Sequence, residues 1–314
     1  MRLRAAGADV WVSPHDRPMD PGELCQAVVG ADALVTLLHD RIDATVLDAA
    51  GEQLRCVANV AVGYDNIDVA AATERGVVVT NTPGVLTDAT ADLAMALILA
   101  VTRRLGEGER HVRAREAWSW DMFFMLGAGL AGKTLGVIGL GGIGRATARR
   151  ALGFGMRVVY AGPRRAPASV EQELGAARHL PLDDLLASAD VVSIHAPLTS
   201  ETRHLIDARR LALMRPSAYL VNTARGPIVD EAALVEALRS GAIAGAALDV
   251  YEREPEVHAG LLELDQVVLT PHLGSATIET RTAMATLAAE NVLAVLEGRQ
   301  PPTPVNPDVL SAGR

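Results

Sequence analysis

A run of apolar residues ending at Ile138 leads into Gly139-Leu140-Gly141-Gly142-Ile143-Gly144, and Arg145-Ala146-Thr147-Ala148-Arg149-Arg150-Ala151-Leu152 follows as a good helix former. Few folds need that order of strand, glycine turn and helix. Gly139 permits a tight turn, Gly141 lets backbone approach a pyrophosphate, and Gly144 lets helix and strand pack closely. The N-terminus of the following helix offers unpaired N–H groups and a partial positive charge, so the turn reads as a dinucleotide cradle with Gly141, Gly142 and Ile143 against the phosphates.

The rest of the chain agrees with a wound α/β architecture. Short runs rich in Val, Ile and Leu alternate with longer Ala/Leu/Arg-rich stretches, as βα units of a parallel sheet do. Strands are expected over 9–12, 33–37, 56–59, 77–80, 134–138, 157–160, 191–194, 219–222, 245–249 and 267–269. Several are apolar throughout, which suits strands covered on both faces. At 314 residues two domains are expected. The expected fold is two doubly wound parallel-sheet domains, a Rossmann cofactor domain at 81–275 inserted in a flavodoxin-like domain made of 1–80 and 276–314. Helical periodicity over 277–296 and over 88–102 supplies a returning helix and a boundary helix, the latter capped by Thr87 or Asp88. The segment from 301 is proline-rich and reads as irregular. The chain opens on what reads as a helix, so the first domain is expected either to lack its first strand or to begin upstream.

Charge and composition remove whole classes of function. A net charge of −9 argues against a nucleic-acid partner, whose phosphates would need a basic face. Cys25 and Cys56 lack CxxC spacing and a third thiol, so neither a disulfide framework nor a metal site is expected, in keeping with a reducing cytoplasm. No secretory signal is legible near Met1. The longest apolar run, 93–101, is far below the roughly 18 residues of a membrane span. An acidic protein that binds an anion must place its cations locally.

Three regions carry candidate cations and proton donors. After the 157–160 strand, Ala161-Gly162-Pro163-Arg164-Arg165 holds no acidic residue to accept from a ribose 2′-hydroxyl, and none occurs between Gly144 and Glu171. Arg164 and Arg165 could instead bind a 2′-phosphate, which favours NADP(H) over NAD(H). Arg225, in Asn222-Thr223-Ala224-Arg225-Gly226, follows an apolar strand, where open α/β sheets place ligands, and its planar fork suits a carboxylate or a keto oxygen. Of eight histidines, His272 in Pro271-His272-Leu273-Gly274-Ser275-Ala276-Thr277 stands out because a carboxylate, Glu254 or Glu252, could partner it. Such a partner would raise the imidazole pKa and prepare it to donate a proton.

Taken with Asn59-Val60-Ala61-Val62-Gly63-Tyr64-Asp65-Asn66-Ile67-Asp68, Asn81-Thr82-Pro83-Gly84-Val85-Leu86-Thr87-Asp88, His195-Ala196-Pro197-Leu198-Thr199 and Asp249-Val250-Tyr251-Glu252-Arg253-Glu254-Pro255, the chain resembles the D-isomer-specific 2-hydroxyacid dehydrogenase family, and within it the glyoxylate/hydroxypyruvate reductases. The resemblance implies that His272 is the proton donor, Glu254 its orienting partner and Arg225 a substrate ligand. It further implies that Val62 and Gly63 offer backbone N–H groups to a substrate carboxylate. Asp249 would lie near the nicotinamide, with Pro197, Thr223 and Gly274 along the cofactor, whereas His195 would border the cofactor without acting in catalysis. The implied reaction is reduction of a small 2-oxo acid to the D-2-hydroxy acid, with domain closure excluding water. Phosphoglycerate-type, formate or phosphite dehydrogenases, and a dinucleotide-sensing corepressor, keep the same motifs. Aromatics are only 3% of the chain, yet Trp118, Trp120, Phe123 and Phe124 cluster. They read either as a loop packed on its own core or as the interface of a homodimer, which the family resemblance implies.

Overall fold

Apolar runs bounded by Gly, Pro or Asp become strands, and the segments between them become helices. In the computed structural model, which describes residues 2–311, the first three strands are β1 (Ala33–Thr36), β2 (Cys56–Asn59) and β3 (Val78–Thr80). They form a parallel sheet in that order, with Leu34 opposite Val57 and Val57 opposite Val79. Both faces are covered. Val57 and Val79 join Ile42, Leu47, Leu54 and Ala72 on one side, while Cys56, Ala58 and Val78 meet Ala288, Val292 and Val295 on the other. The latter three belong to the helix Ile278–Leu296, whose N-cap Thr277 accepts a hydrogen bond from the Thr280 amide.

The second sheet holds β4 (Thr134–Ile138), β5 (Arg157–Ala161), β6 (Arg178–His179), β7 (Val191–Ile194), β8 (Tyr219–Asn222), β9 (Gly245–Leu248) and β10 (Val267–Leu269). Its order, β10-β9-β8-β7-β4-β5-β6, is parallel throughout and reverses direction between β7 and β4. Such a reversal opens a crevice at the carboxyl ends of the strands. Successive residues divide between two cores. Val158 and Tyr160 pack on one side with Leu135, Val137 and Ala247, and Val159 and Ala161 on the other with Ile194, Leu220 and Leu248. Burial of alternate residues on opposite faces is why these strands read as unbroken apolar runs.

Two compact units result, Met1–Leu86 with Thr277–Arg314, and Thr87–Ala276. The first break lies six residues beyond the expected position 80, because the Asn81 amide donates to Thr303 and the Thr82 amide to Ala61, which keeps them with the first sheet. Two expectations need correction. Residues 9–12 form no strand, and Trp11 and Val12 are exposed. A largely apolar segment such as Asp9-Val10-Trp11-Val12 becomes a strand only beside another strand, and among the described residues none pairs with it. The segment from 301 is less irregular than its prolines suggest. Val305 N–H donates to Val79 O, the Asn306 side chain bonds Val79 N–H and Val77 O, and a short helix spans Asp308–Ser311. The edge of β3 is thereby protected. Among the described residues, no helix is long and apolar enough to cross a membrane.

Candidate active site

The cradle forms where β4 meets the Gly142–Gly153 helix. Gly139 adopts a left-handed φ of 92°, open to glycine at little cost. A Cβ on Gly144 would lie 2.2 Å from Gly139 O, so only glycine lets helix and turn approach this closely. Nothing lies within 4 Å of a Cβ on Gly141, the N-cap, which leaves the helix N-terminus open to an anion. At the end of β8, Thr223 Oγ1 is buried and finds no hydrogen-bond partner among the described residues. A buried hydroxyl without a partner is costly unless a ligand supplies one. Glycine cradle, open helix end and lone hydroxyl together fit a dinucleotide.

The end of β5 differs from expectation. Arg164 is exposed, but Arg165 is already engaged: its Nε and Nη2 donate to Glu171 at 2.9 and 2.8 Å. Tyr160 Oη also donates to Glu171, at 2.6 Å, and accepts from the Ala166 amide. The Arg165 guanidinium and the Tyr160 hydroxyl hold the Glu171 carboxyl down at about 2 despite desolvation. Arg165 is thus fixed through its carboxylate partner, and Arg164 is the side chain left to reach outward. Sequence reading missed Glu171 because its link to Tyr160 depends on how the Ala168–Glu173 helix folds back.

Loops after β8, β9 and β10 bring the candidate chemical groups together. Arg225 leads into the 3-10 turn Gly226–Ile228, and Asn222 braces it by donating to Arg225 O and accepting from the Ala224 amide. His272 follows β10 in a left-handed conformation (φ 53°), and its Nδ1 lies 2.8 Å from Glu254 Oε2. Glu254 Oε1 accepts from the Tyr251 amide. Burial pushes the Glu254 carboxyl upward, yet the hydrogen bond and charge of His272, the Tyr251 amide and the charge of Arg225 outweigh it and leave the pKa lowered. The rival Glu252 turns elsewhere, toward His204 Nε2 at 3.1 Å.

Asp249 is fully buried, and burial raises its pKa against the pull of its hydrogen bonds. Its Oδ1 accepts from Thr270 Oγ1 and the Leu273 amide, and its Oδ2 from the Gly274 amide. The His272 amide donates to Asp249 O. Asp249 therefore shapes the very loop that presents His272, a task no sequence signal announced. His195 pairs with Ser193 Oγ, and burial pushes its imidazole down to about 4. Pro197 lies on the loop after β7 and its carbonyl accepts from Thr202 Oγ1. In the other unit, the Val62 and Gly63 carbonyls accept from Asn81 and Asn59 side chains. Their N–H groups have no partner among the described residues.

This order of strands and this set of loops identify the chain. The sequence profile of the D-isomer specific 2-hydroxyacid dehydrogenase, NAD binding domain, matches residues 95–274. The protein belongs to this dehydrogenase family. Within it, a glyoxylate reductase of Thermococcus onnurineus (strain NA1) is 52% identical over 308 residues, 96% of this chain and 90% of that relative. A crystal structure from Thermus thermophilus superposes with a TM-score of 0.90 at 49% identity, covering 97% of this chain and 95% of the other. Another solved structure, the NADPH-dependent glyoxylate/hydroxypyruvate reductase of Sinorhizobium meliloti in complex with NADP and malonate, gives a TM-score of 0.80 at 38% identity over 89% and 87% of the two chains.

Proposed function

We propose that this dehydrogenase reduces small 2-oxo acids, glyoxylate and hydroxypyruvate, to D-2-hydroxy acids with NADPH, and that His272 donates the proton. The observation that carries the reading is the 2.8 Å pairing of His272 Nδ1 with Glu254. With Nδ1–H given to the carboxylate, Nε2 is the nitrogen left to donate to a substrate oxygen. Side chains only 29% and 36% exposed keep this pair partly shielded while leaving the ring open on one side. The dinucleotide, when bound, supplies the hydride. Gly141, Gly142 and Ile143 hold its pyrophosphate, and Pro197, Thr223, Asp249 and Gly274 line the remainder. Arg225 grips or polarises the 2-oxo acid with its planar fork. The Val62 and Gly63 N–H groups take the substrate carboxylate.

NADP(H) is favoured over NAD(H) because no carboxylate follows β5 in the place that accepts from a ribose 2′-hydroxyl, and Arg164 stands exposed there with Arg165 beside it. The Sinorhizobium reductase, solved with NADP, supports this choice by similarity.

A homodimer completes the reading. Trp118, Trp120, Met122, Phe123 and Leu126 are all at least 60% exposed on one irregular arm, a density of bare apolar surface that marks an interface. Oxidation of NADPH and of NADH is to be followed with glyoxylate, hydroxypyruvate and pyruvate. Turnover is expected with the first two and a lower KM for NADPH. Dinucleotide binding without turnover of any 2-oxo acid would favour a sensor instead.

A further inference from the structure

Between the Arg225 loop and the Glu254 loop, two glutamates each hold the other's backbone. Glu231 N–H donates to Glu252 Oε1 at 2.9 Å, and Glu252 N–H donates to Glu231 Oε1 at 2.7 Å. Glu231 is buried and opens the helix Glu231–Arg239, whose first-turn partial charge suits a carboxylate. The remaining oxygen of Glu252 meets His204 Nε2 at 3.1 Å. His204 is bound back to the same loop: its amide donates to Pro227 O, and the Ile206 amide to Ile228 O. A side chain at Gly226 could not exist here, since its Cβ would fall 1.9 Å from the carbonyl carbon of Tyr251. The segment carrying Arg225 and the segment carrying Glu254 are therefore in direct backbone contact, stitched from both sides.

Mere packing does not call for this chemistry. Two carboxylates facing each other repel, and burial together with the charge of Glu252 pushes the Glu231 pKa up. An amide or an apolar pair would join the loops more cheaply. What charged acceptors add is short, directional grip on two particular N–H groups. One of these belongs to Glu252, next to Tyr251, whose own amide aims the Glu254 carboxylate.

We propose that Glu231, Glu252 and His204 form a positioning clamp that sets Glu254 against His272 and fixes the Arg225 loop beside them. All three act through the loops that carry Glu254 and Arg225. The inference rests on the proposed function in one respect, that Arg225, Glu254 and His272 are the reacting set.

In the full-length chain, Glu252→Ala is expected to lower kcat about 10- to 100-fold, the cost of a small displacement at a reacting centre. The KM for the dinucleotide should change by less than about threefold, because the cradle is untouched. Glu254 would also drift from His272, lengthening their 2.8 Å hydrogen bond. Glu252→Gln keeps an acceptor for the Glu231 amide and should restore most of the rate. His204→Gln, on a partly exposed side chain, gives a milder loss in the same direction and serves if Glu252→Ala does not fold. NMR of the His272 Nδ1–H proton, whose chemical shift reports its hydrogen bond to Glu254 Oε2, reads the clamp without turnover, and that resonance should move upfield or broaden away in Glu252→Ala and, to a lesser extent, in His204→Gln. Should the wild-type enzyme reduce no 2-oxo acid, the function is wrong and this resonance alone decides the clamp. Unchanged kcat and an unchanged His272 Nδ1–H resonance would overturn it. So would losses of kcat, dinucleotide affinity and melting temperature in parallel, with the resonance unmoved.

Discussion

His272 and Glu254 stand 18 positions apart in sequence and 2.8 Å apart in space, so substituting either should slow the same step, to different degrees. His272→Asn is expected to lower kcat about 10²- to 10⁴-fold, the usual worth of a positioned acid. Glu254→Gln should lose less, because an amide oxygen can still accept from His272 Nδ1–H, though more weakly than a carboxylate. Steady-state rates check both. His195 sits in a different environment. Burial holds its folded pKa at about 4 against an ordinary 6.5, so the unfolded chain takes up a proton first as the solution is acidified. Stability from this group is complete above pH 6.5 and is lost as pH falls toward 4. His195→Asn should remove on the order of 1–2 kcal/mol of the stability lost between pH 7.5 and 5, measured by denaturant unfolding. A slope the same in both proteins would show that His195 titrates normally.

Among the elements, the cradle depends on one contact. A methyl group at Gly144 would sit 2.2 Å from Gly139 O, so Gly144→Ala must push the Gly142–Gly153 helix off β4. Dinucleotide affinity is expected to fall at least about tenfold and the protein to lose on the order of 1–3 kcal/mol, the usual cost of overpacking. Fluorescence titration and thermal melting would show either the paired loss or a tolerant site. Most strands were legible because both faces are packed: β2, β4, β7, β8 and β10 begin and end where the apolar runs do. β6 was not, since Arg178-His179 is polar and earns its place only by pairing with β5. Residues 9–12 show the converse, a largely apolar segment left without a pairing strand.

For the whole molecule, the exposed arm gives the clearest expectation. Trp120 is 82% and Phe123 78% exposed, and a chain with so few aromatics gains nothing from leaving them in water. Sedimentation velocity should report a dimer, and Trp120→Ser combined with Phe123→Ser should shift it toward monomer while the cradle still binds dinucleotide. A monomer at micromolar wild-type concentration would refute the interface. The cluster itself was visible in the sequence. Its exposure was not, because a run of aromatics reads the same whether it faces a core or a partner.

Sequence alone determined the periodicities and the glycine turn, since these depend on hydrogen bonds and contacts within a few residues; the cap expected at Thr87 or Asp88 was not among them, because the helix already begins at Thr87. They sufficed for two wound α/β units and a nucleotide cradle. Tertiary structure decided which partner each carboxylate meets. Glu254 rather than Glu252 reaches His272, Glu171 takes Arg165, and Glu231 and Glu252 grip each other. Separation along a chain carries no distance. Only parallel strands, by delivering their carboxyl ends to one edge, bring such remote loops within reach of a hydrogen bond.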